Sequence, residues 1–67
     1  MDLRQAKMNA VQLKRVLIVF RDGTARTVDC VAWEIDPASR GMIEIQLPGG
    51  HFLEIHGDVW KTAEELP

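Results

Sequence analysis

The sequence predicts a mainly β domain with a short N-terminal helix, built as a small antiparallel SH3-like or Sm-like barrel or as a strongly bent meander of four to five strands. Three observations predict it. Runs rich in β-branched residues alternate with turn residues across residues 15–61. An Asp-Gly pair, a strong hairpin signal, separates the two longest runs. Helical spacing of apolar residues is confined to residues 1–14.

Length and composition indicate one small globular domain spanning residues 1–67. A chain of 67 residues buries only about 60% of the surface that its unfolded form exposes, so its core is thin. Hydrophobic residues at 46% and charged residues at 27% argue against disorder throughout the chain. Net charge is −2, with an excess of basic residues before residue 27 and of acidic residues after it, which can orient self-association or steer a charged partner.

The number of cysteines and the length of the longest apolar run indicate the cellular compartment in which we expect the protein. Cys30 is the only cysteine, which excludes an internal disulfide and zinc sites built from cysteine pairs. A lone thiol fits the reducing cytoplasm, where we expect the protein to be. The apolar run at residues 16–20 is too short for an export signal or a membrane span, so we expect no membrane association.

Residues 1–14 are predicted to form a short amphipathic helix or, as the alternative, a tail. This segment contains neither glycine nor proline. Its apolar face is small, so such a helix would be marginal alone and would need a surface to lie on. The residues that recur at helical spacing are Leu3, Ala6, Ala10 and Leu13.

The first strand, predicted over residues 15–21, is apolar on both faces. Leu17 and Val19 point to one face, and burying either fully is worth roughly 1.5–3 kcal/mol. We therefore expect the N-terminal helix or a second protomer to cover them. The opposite, larger set consists of Val16, Ile18 and Phe20.

The second strand, predicted over residues 25–35, changes its apolar face midway. Such a change is typical of a bulge or sharp bend, as where a strand passes from one half of a small barrel to the other. We place the bend near Val31 or Ala32.

The turn at Asp22 and Gly23 leaves two possible registers for this hairpin. A two-residue turn would put Ile18 opposite Thr27, whereas a loop of odd length would put Ile18 opposite Val28 and keep the apolar faces together. We expect the odd-length loop, because register is strongly set wherever a face is buried.

After a turn over residues 36–41, strands three and four are predicted over residues 42–47 and 51–56. A three-residue type I loop with Gly50 in the left-handed region would join them, and residues 62–67 are predicted to form only a C-terminal turn. The expected inner pairs are Leu47 with His51, Ile45 with Leu53 and Ile43 with Ile55. The expected outer pairs are Met42 with His56, Glu44 with Glu54 and Gln46 with Phe52.

Catalytic, metal and cofactor sites find little support in the sequence. Glu44 opposite Glu54 would invite a cation, but His51 and His56 lie on opposite sides of one strand and cannot complete a single site with them. Cys30 is expected inside the hairpin, where a thiol is inert, and no glycine-rich phosphate loop is present. We therefore expect neither an enzyme nor a bound cofactor or metal.

Nucleic-acid binding is the alternative function, since small β-barrels bind single strands through basic and aromatic side chains. Arg15, Arg21 and Arg26 could form a local basic patch. The calculated isoelectric point of 5.5 and the apolar surroundings of every aromatic residue argue against this alternative.

The sequence favours a non-catalytic protein-binding module, a small regulator or inhibitor that works through protein contacts and forms a homodimer. The first strand has a second apolar face, and apolar residues fall on the outer side of the later hairpin. The candidate interface residues are Leu17, Val19, Met42, Phe52 and His56.

Overall fold

The structure, a computed structural model, describes residues 12–67, which form six antiparallel strands and one turn of 3₁₀ helix. Sheet A has the strand order β2-β1-β6 and sheet B the order β3-β4-β5. The mainly β prediction is confirmed. The elements are β1 (Lys14–Phe20), β2 (Ala25–Cys30), β3 (Ala32–Asp36), the 3₁₀ helix (Pro37–Ser39), β4 (Met42–Gln46), β5 (Phe52–Ile55) and β6 (Trp60–Leu66).

The two sheets share one core but do not close into a barrel. Within residues 12–67 each ladder stays inside one sheet, so the barrel alternative of the prediction is not closed, and the predicted count of four to five strands is wrong. Alternation along the strands turns one face of each sheet inward, and these faces supply all of the buried apolar side chains. The core residues are Val16, Ile18, Val28 and Cys30 from sheet A, and Ile43, Ile45 and Ile55 from sheet B.

The predicted bend in the second strand is confirmed at Val31. The chain leaves sheet A after Cys30 and enters sheet B at Ala32, and the Val31 amide already donates to the carbonyl oxygen of Gln46 at 2.8 Å. The change of apolar face follows from this transfer, because the strand packs on the core from sheet A before the bend and from sheet B after it.

Strand β1 lies at the centre of sheet A, hydrogen-bonded to β2 on one side and to β6 on the other. Val16 and Ile18 are fully buried on its inner face. Leu17 and Val19 are half-buried on its outer face.

The β1–β2 register keeps the predicted faces together but shifts the pairing by two residues. Val16 lies opposite Val28, so the expected pairing of Ile18 with Val28 is wrong, and Ile18 lies opposite Arg26. The loop has three residues because Gly23, at φ +91°, takes the left-handed conformation that such a loop requires.

A side-chain cap fixes this short loop. The carboxylate of Asp22 accepts hydrogen bonds from the Thr24 amide at 2.9 Å and the Thr24 hydroxyl at 2.6 Å. These bonds favour the ionised carboxylate and lower the pKa of Asp22. The cap closes a loop over residues 21–23, whereas the expected register would have placed a three-residue loop over residues 22–24.

The predicted C-terminal turn over residues 62–67 is wrong, because this segment belongs to strand β6. Ala63 lies opposite Ile18, and the ladder continues to Leu66 opposite Arg15. The β core therefore extends beyond residue 61. Pairing with β6 satisfies the second row of backbone groups along β1, which a single helical turn could not do.

The predicted N-terminal helix over residues 1–14 falls almost entirely outside the described residues. Gln12 and Leu13 are not helical, and Lys14 is the first residue of β1.

The β4–β5 hairpin has the predicted register. Ile43 pairs with Ile55, and the Leu47 amide donates to the carbonyl oxygen of His51 at 2.7 Å. The type I assignment of the loop is wrong, because Gly49 also has a positive φ of 89°. A proline followed by a residue of positive φ is typical of a type II turn.

Candidate protein-binding surface

The outer face of sheet B carries its side chains in rows, with one residue from each strand, because residues that pair across antiparallel strands lie about 5 Å apart on the same face. The Phe52 row is Ala32, Gln46 and Phe52, and the acidic row is Glu34, Glu44 and Glu54. Asp36 and Met42 pair beyond the acidic row.

The acidic row places like charges directly opposite one another on all three strands. Such pairs destabilise a sheet unless a cation lies close to them. Within residues 12–67 the structure pairs none of Glu34, Glu44 and Glu54 with a lysine or arginine side chain. The surrounding stretch, residues 31–59, adds two more carboxylates and a single basic residue, Arg40. Among residues 12–67 this face therefore carries an excess of carboxylates.

A shallow cavity of about 180 Å³ lies beside the acidic row. Phe52 forms one wall and is 68% exposed, a large fraction for an aromatic side chain. Ala32 lies in the same row, on β3, and its small side chain also lines the cavity. The full lining is Ala32, Trp33, Glu34, Glu44, Gln46 and Phe52.

Both tryptophan indoles are anchored within the fold by their N–H groups. The Nε1 of Trp33 donates to Oε1 of Glu65 on β6 at 2.9 Å. The Nε1 of Trp60 donates to the carbonyl oxygen of Gly41 at 2.7 Å. Both rings are half-buried against the core. The Trp33 bond joins β3 of sheet B to β6 of sheet A, and the Trp60 bond joins β6 to the residue just before β4 of sheet B.

The five predicted interface residues do not form one surface. Phe52 and Met42 share the outer face of sheet B, but the acidic row separates them. His56 follows β5 directly and is exposed. Leu17 and Val19 lie on the outer face of sheet A, across the core from the other three.

The three arginines of the alternative function are dispersed. Arg15 is on the outer face of sheet A, where its Nε donates to Oδ1 of Asp29 at 2.9 Å, and this contact raises the pKa of the guanidinium. Arg26 pairs with Ile18, whose side chain points into the core, so Arg26 is on the inner face of sheet A. It is nevertheless exposed to solvent. Arg21 lies in the β1–β2 loop. The observed positions give these arginines no common face.

Reactive groups are few in the part of the chain that is described. Cys30 is fully buried, and burial raises the pKa of its thiol, with Glu65 adding to the effect. A thiol held neutral in this way is a poor nucleophile. Among residues 12–67 no three histidine, cysteine, aspartate or glutamate side chains are grouped so as to hold a metal ion. The same residues contain no helix of the length and hydrophobicity that a bilayer crossing requires.

Sequence reasoning found two of the acidic residues and missed the third. The Glu44–Glu54 pair followed from the local hairpin, but Glu34 joins the row only because β3 pairs with β4. A signal was present, since once the bend is placed at Val31 the alternation along β3 puts Ala32 and Glu34 on the same face.

No protein-family model, curated protein or solved structure matches this chain.

Proposed function

We propose that this protein is a non-catalytic protein-binding module that recognises another protein through the outer face of sheet B. The observation that carries the proposal is Phe52, an aromatic side chain with 68% of its surface exposed at the wall of a cavity. Aromatic side chains surrounded by polar groups are typical of the energetic centres of protein interfaces.

The size of the cavity also supports a protein partner. Sites for small molecules and cofactors have volumes of roughly 300–1,000 Å³. At about 180 Å³, the cavity beside Phe52 suits one side chain of a larger partner better than a whole ligand. The buried thiol of Cys30 offers no accessible nucleophile. We accordingly propose a regulator or inhibitor rather than an enzyme, and a cytoplasmic setting in which a single thiol stays reduced.

Site-specific photo-crosslinking in the source cells tests the proposal. A photo-reactive benzoylphenylalanine replaces Phe52 in one protein and the exposed Ala38, in the 3₁₀ helix, in a control protein. We expect a discrete covalent adduct with another protein from position 52 and no adduct from position 38. The same pattern from both positions, or no adduct from position 52, would contradict the proposal.

We also propose that the outer face of sheet A joins two copies of the chain. The half-buried Leu17 and Val19 support this, because they occupy the central strand of that face. Sedimentation equilibrium over a wide concentration range should give a mass above that of the 7.6 kDa chain. Leu17→Ser should restore the single-chain mass, while Glu54→Gln on sheet B should not. A single-chain mass at every concentration would rule out the dimer and leave the partner-binding proposal standing.

For the fold, we propose an SH3-like or Sm-like relationship in which sheets A and B are the two halves of an incompletely closed barrel. The support is the stretch of chain that passes from β2 through Val31 into β3 and so contributes to both sheets.

A further inference from the structure

We propose that the partner presents a basic segment, and that an arginine side chain of this segment occupies the cavity between Phe52 and Glu44. This inference rests on the proposed function and adds the chemical class of the partner. The cavity, its aromatic wall and the charge of its rim each support it.

The cavity has the shape and chemistry for a flat cation. Its floor and walls are largely apolar, with the Phe52 ring exposed on one side, and Glu34 and Glu44 lie at its rim. A guanidinium group stacks on an aromatic face, and it pairs with a carboxylate through two parallel hydrogen bonds. An arginine could therefore use the Phe52 ring and the Glu44 carboxylate together, whereas a neutral apolar side chain would leave the carboxylates unpaired.

The charge of the whole face selects the same partner. The acidic row carries three carboxylates in adjacent strands, without lysine or arginine partners in residues 12–67. A cation placed there relieves their mutual repulsion, whereas an acidic or phosphorylated partner would increase it. Charge complementarity of this kind also speeds encounter and excludes wrong partners.

The row spacing indicates how a segment would lie. Residues two apart along a strand are about 6.6 Å from each other. An extended peptide running along β4 has the same repeat for its alternate residues. Arginines at alternate positions would therefore reach the Phe52 row and the acidic row at Glu44 in turn.

Fluorescence anisotropy with defined peptides tests this inference. The probes are fluorescein-labelled octapeptides in which arginine alternates with glycine, and matched peptides with citrulline or glutamate in place of arginine. Citrulline keeps the size and planarity of arginine but lacks its charge. We expect the arginine peptide to bind more tightly than the citrulline peptide, with affinity falling as salt is raised, and the glutamate peptide not to bind.

Variants locate the binding on this face. Phe52→Ala and Glu44→Gln should each weaken binding of the arginine peptide by roughly two- to fivefold, as expected for exposed cation–aromatic and ion-pair contacts. Glu64→Gln is the matched control, because Glu64 is an exposed glutamate at the centre of β6 on sheet A. It should leave the affinity unchanged.

The outcomes separate this inference from the proposed function. Equal binding of the arginine and citrulline peptides, or equal losses from Glu44→Gln and Glu64→Gln, overturns the basic-segment inference. Adduct formation from position 52 alongside either of these results would leave the protein-binding function intact. Absence of that adduct together with peptide binding that ignores Phe52→Ala would overturn both.

Discussion

At the scale of single residues, Gly57 is constrained by a close approach of two backbone segments. It precedes β6 and faces Arg40, just after the 3₁₀ helix. A Cβ atom at Gly57 would overlap the carbonyl oxygen of Arg40 and lie 2.9 Å from its carbonyl carbon. The absence of a side chain is required here for space, since the obstructing atoms belong to the backbone and cannot rotate away.

We expect Gly57→Ala to lower the free energy of unfolding by about 3 kcal/mol or more, because the backbone must move. Gly50→Ala is the control: Gly50 has a positive φ of 86° but open space within 4 Å of where a Cβ atom would lie, so only the left-handed conformation is penalised, at about 1 kcal/mol. Urea unfolding of both variants measures the difference. Similar losses in the two variants would argue against the close approach.

The buried thiol of Cys30 gives a pH dependence with a definite sign. Burial raises the pKa of this thiol in the folded state, so the native protein keeps the proton longer than the unfolded chain. The associated stability is present in full below the ordinary thiol pKa of about 8.5. It is lost as the pH rises from there through the folded value.

We therefore expect the free energy of unfolding to fall more steeply above this pH in the native sequence than in Cys30→Ala. The alanine variant is less stable overall but has no thiol to ionise, so the comparison uses the slope against pH and not the absolute value. Urea unfolding at a series of pH values measures both slopes. Parallel slopes would show that the folded state does not favour the neutral thiol.

At the scale of elements, β1 is where sequence and packing correspond most closely. It is the central strand of sheet A, flanked by β2 and β6, with an inner face of fully buried Val16 and Ile18. Its partner β6 is far more polar. After Trp60, Ala63 is the only β6 residue that packs on the core. The ladder to β1, rather than hydrophobicity, is what holds the C-terminal segment as a strand.

Removing residues 62–67 should consequently unfold the protein. The deletion leaves one edge of β1 without its hydrogen-bonding partner, removes Ala63 from the core, and takes away the Glu65 carboxylate that accepts from Trp33. We expect the amide resonances of the truncated chain to collapse into the narrow range of an unfolded protein. Removing Pro67 alone, outside the strand, should leave the spectrum dispersed. A dispersed spectrum from the longer deletion would contradict the role assigned to β6.

At the scale of the whole molecule, neither sheet has a core of its own. The buried residues come from both sheets, and the two tryptophan hydrogen bonds connect them. Two layers that depend on each other for burial are expected to unfold together.

Each tryptophan can report by fluorescence on the unfolding of the sheet that contains it, which tests whether the two sheets unfold together. In Trp60→Phe the fluorescence comes from Trp33 in sheet B, and in Trp33→Phe it comes from Trp60 in sheet A. In each variant we expect the fluorescence midpoint in urea to coincide with the far-ultraviolet circular dichroism midpoint of the same protein. Emission should also shift to longer wavelength on unfolding, since both rings are half-buried. A separation between the two midpoints in either variant would indicate that the sheets unfold independently.

The parts of the candidate surface that sequence reasoning reached are those that depend on local geometry. The pairings of Glu44 with Glu54 and of Gln46 with Phe52 follow from a short hairpin whose inner face must be apolar. Placing Glu34 and Trp33 beside them required the pairing of β3 with β4 and the contact of β3 with β6. Those contacts join segments that neither a turn nor a periodicity connects.

The sequence by itself determined the β class, a bend near Val31 or Ala32, the inward face of every predicted strand and the β4–β5 register. Each of these depends on alternation or on turn chemistry, which act over a few neighbouring residues. Only the tertiary structure decided that residues 62–66 form a strand and that sheets A and B remain separate. The physical reason is that backbone pairing is nearly independent of side chain type, so a polar segment becomes a strand wherever a central strand such as β1 has an unpaired edge.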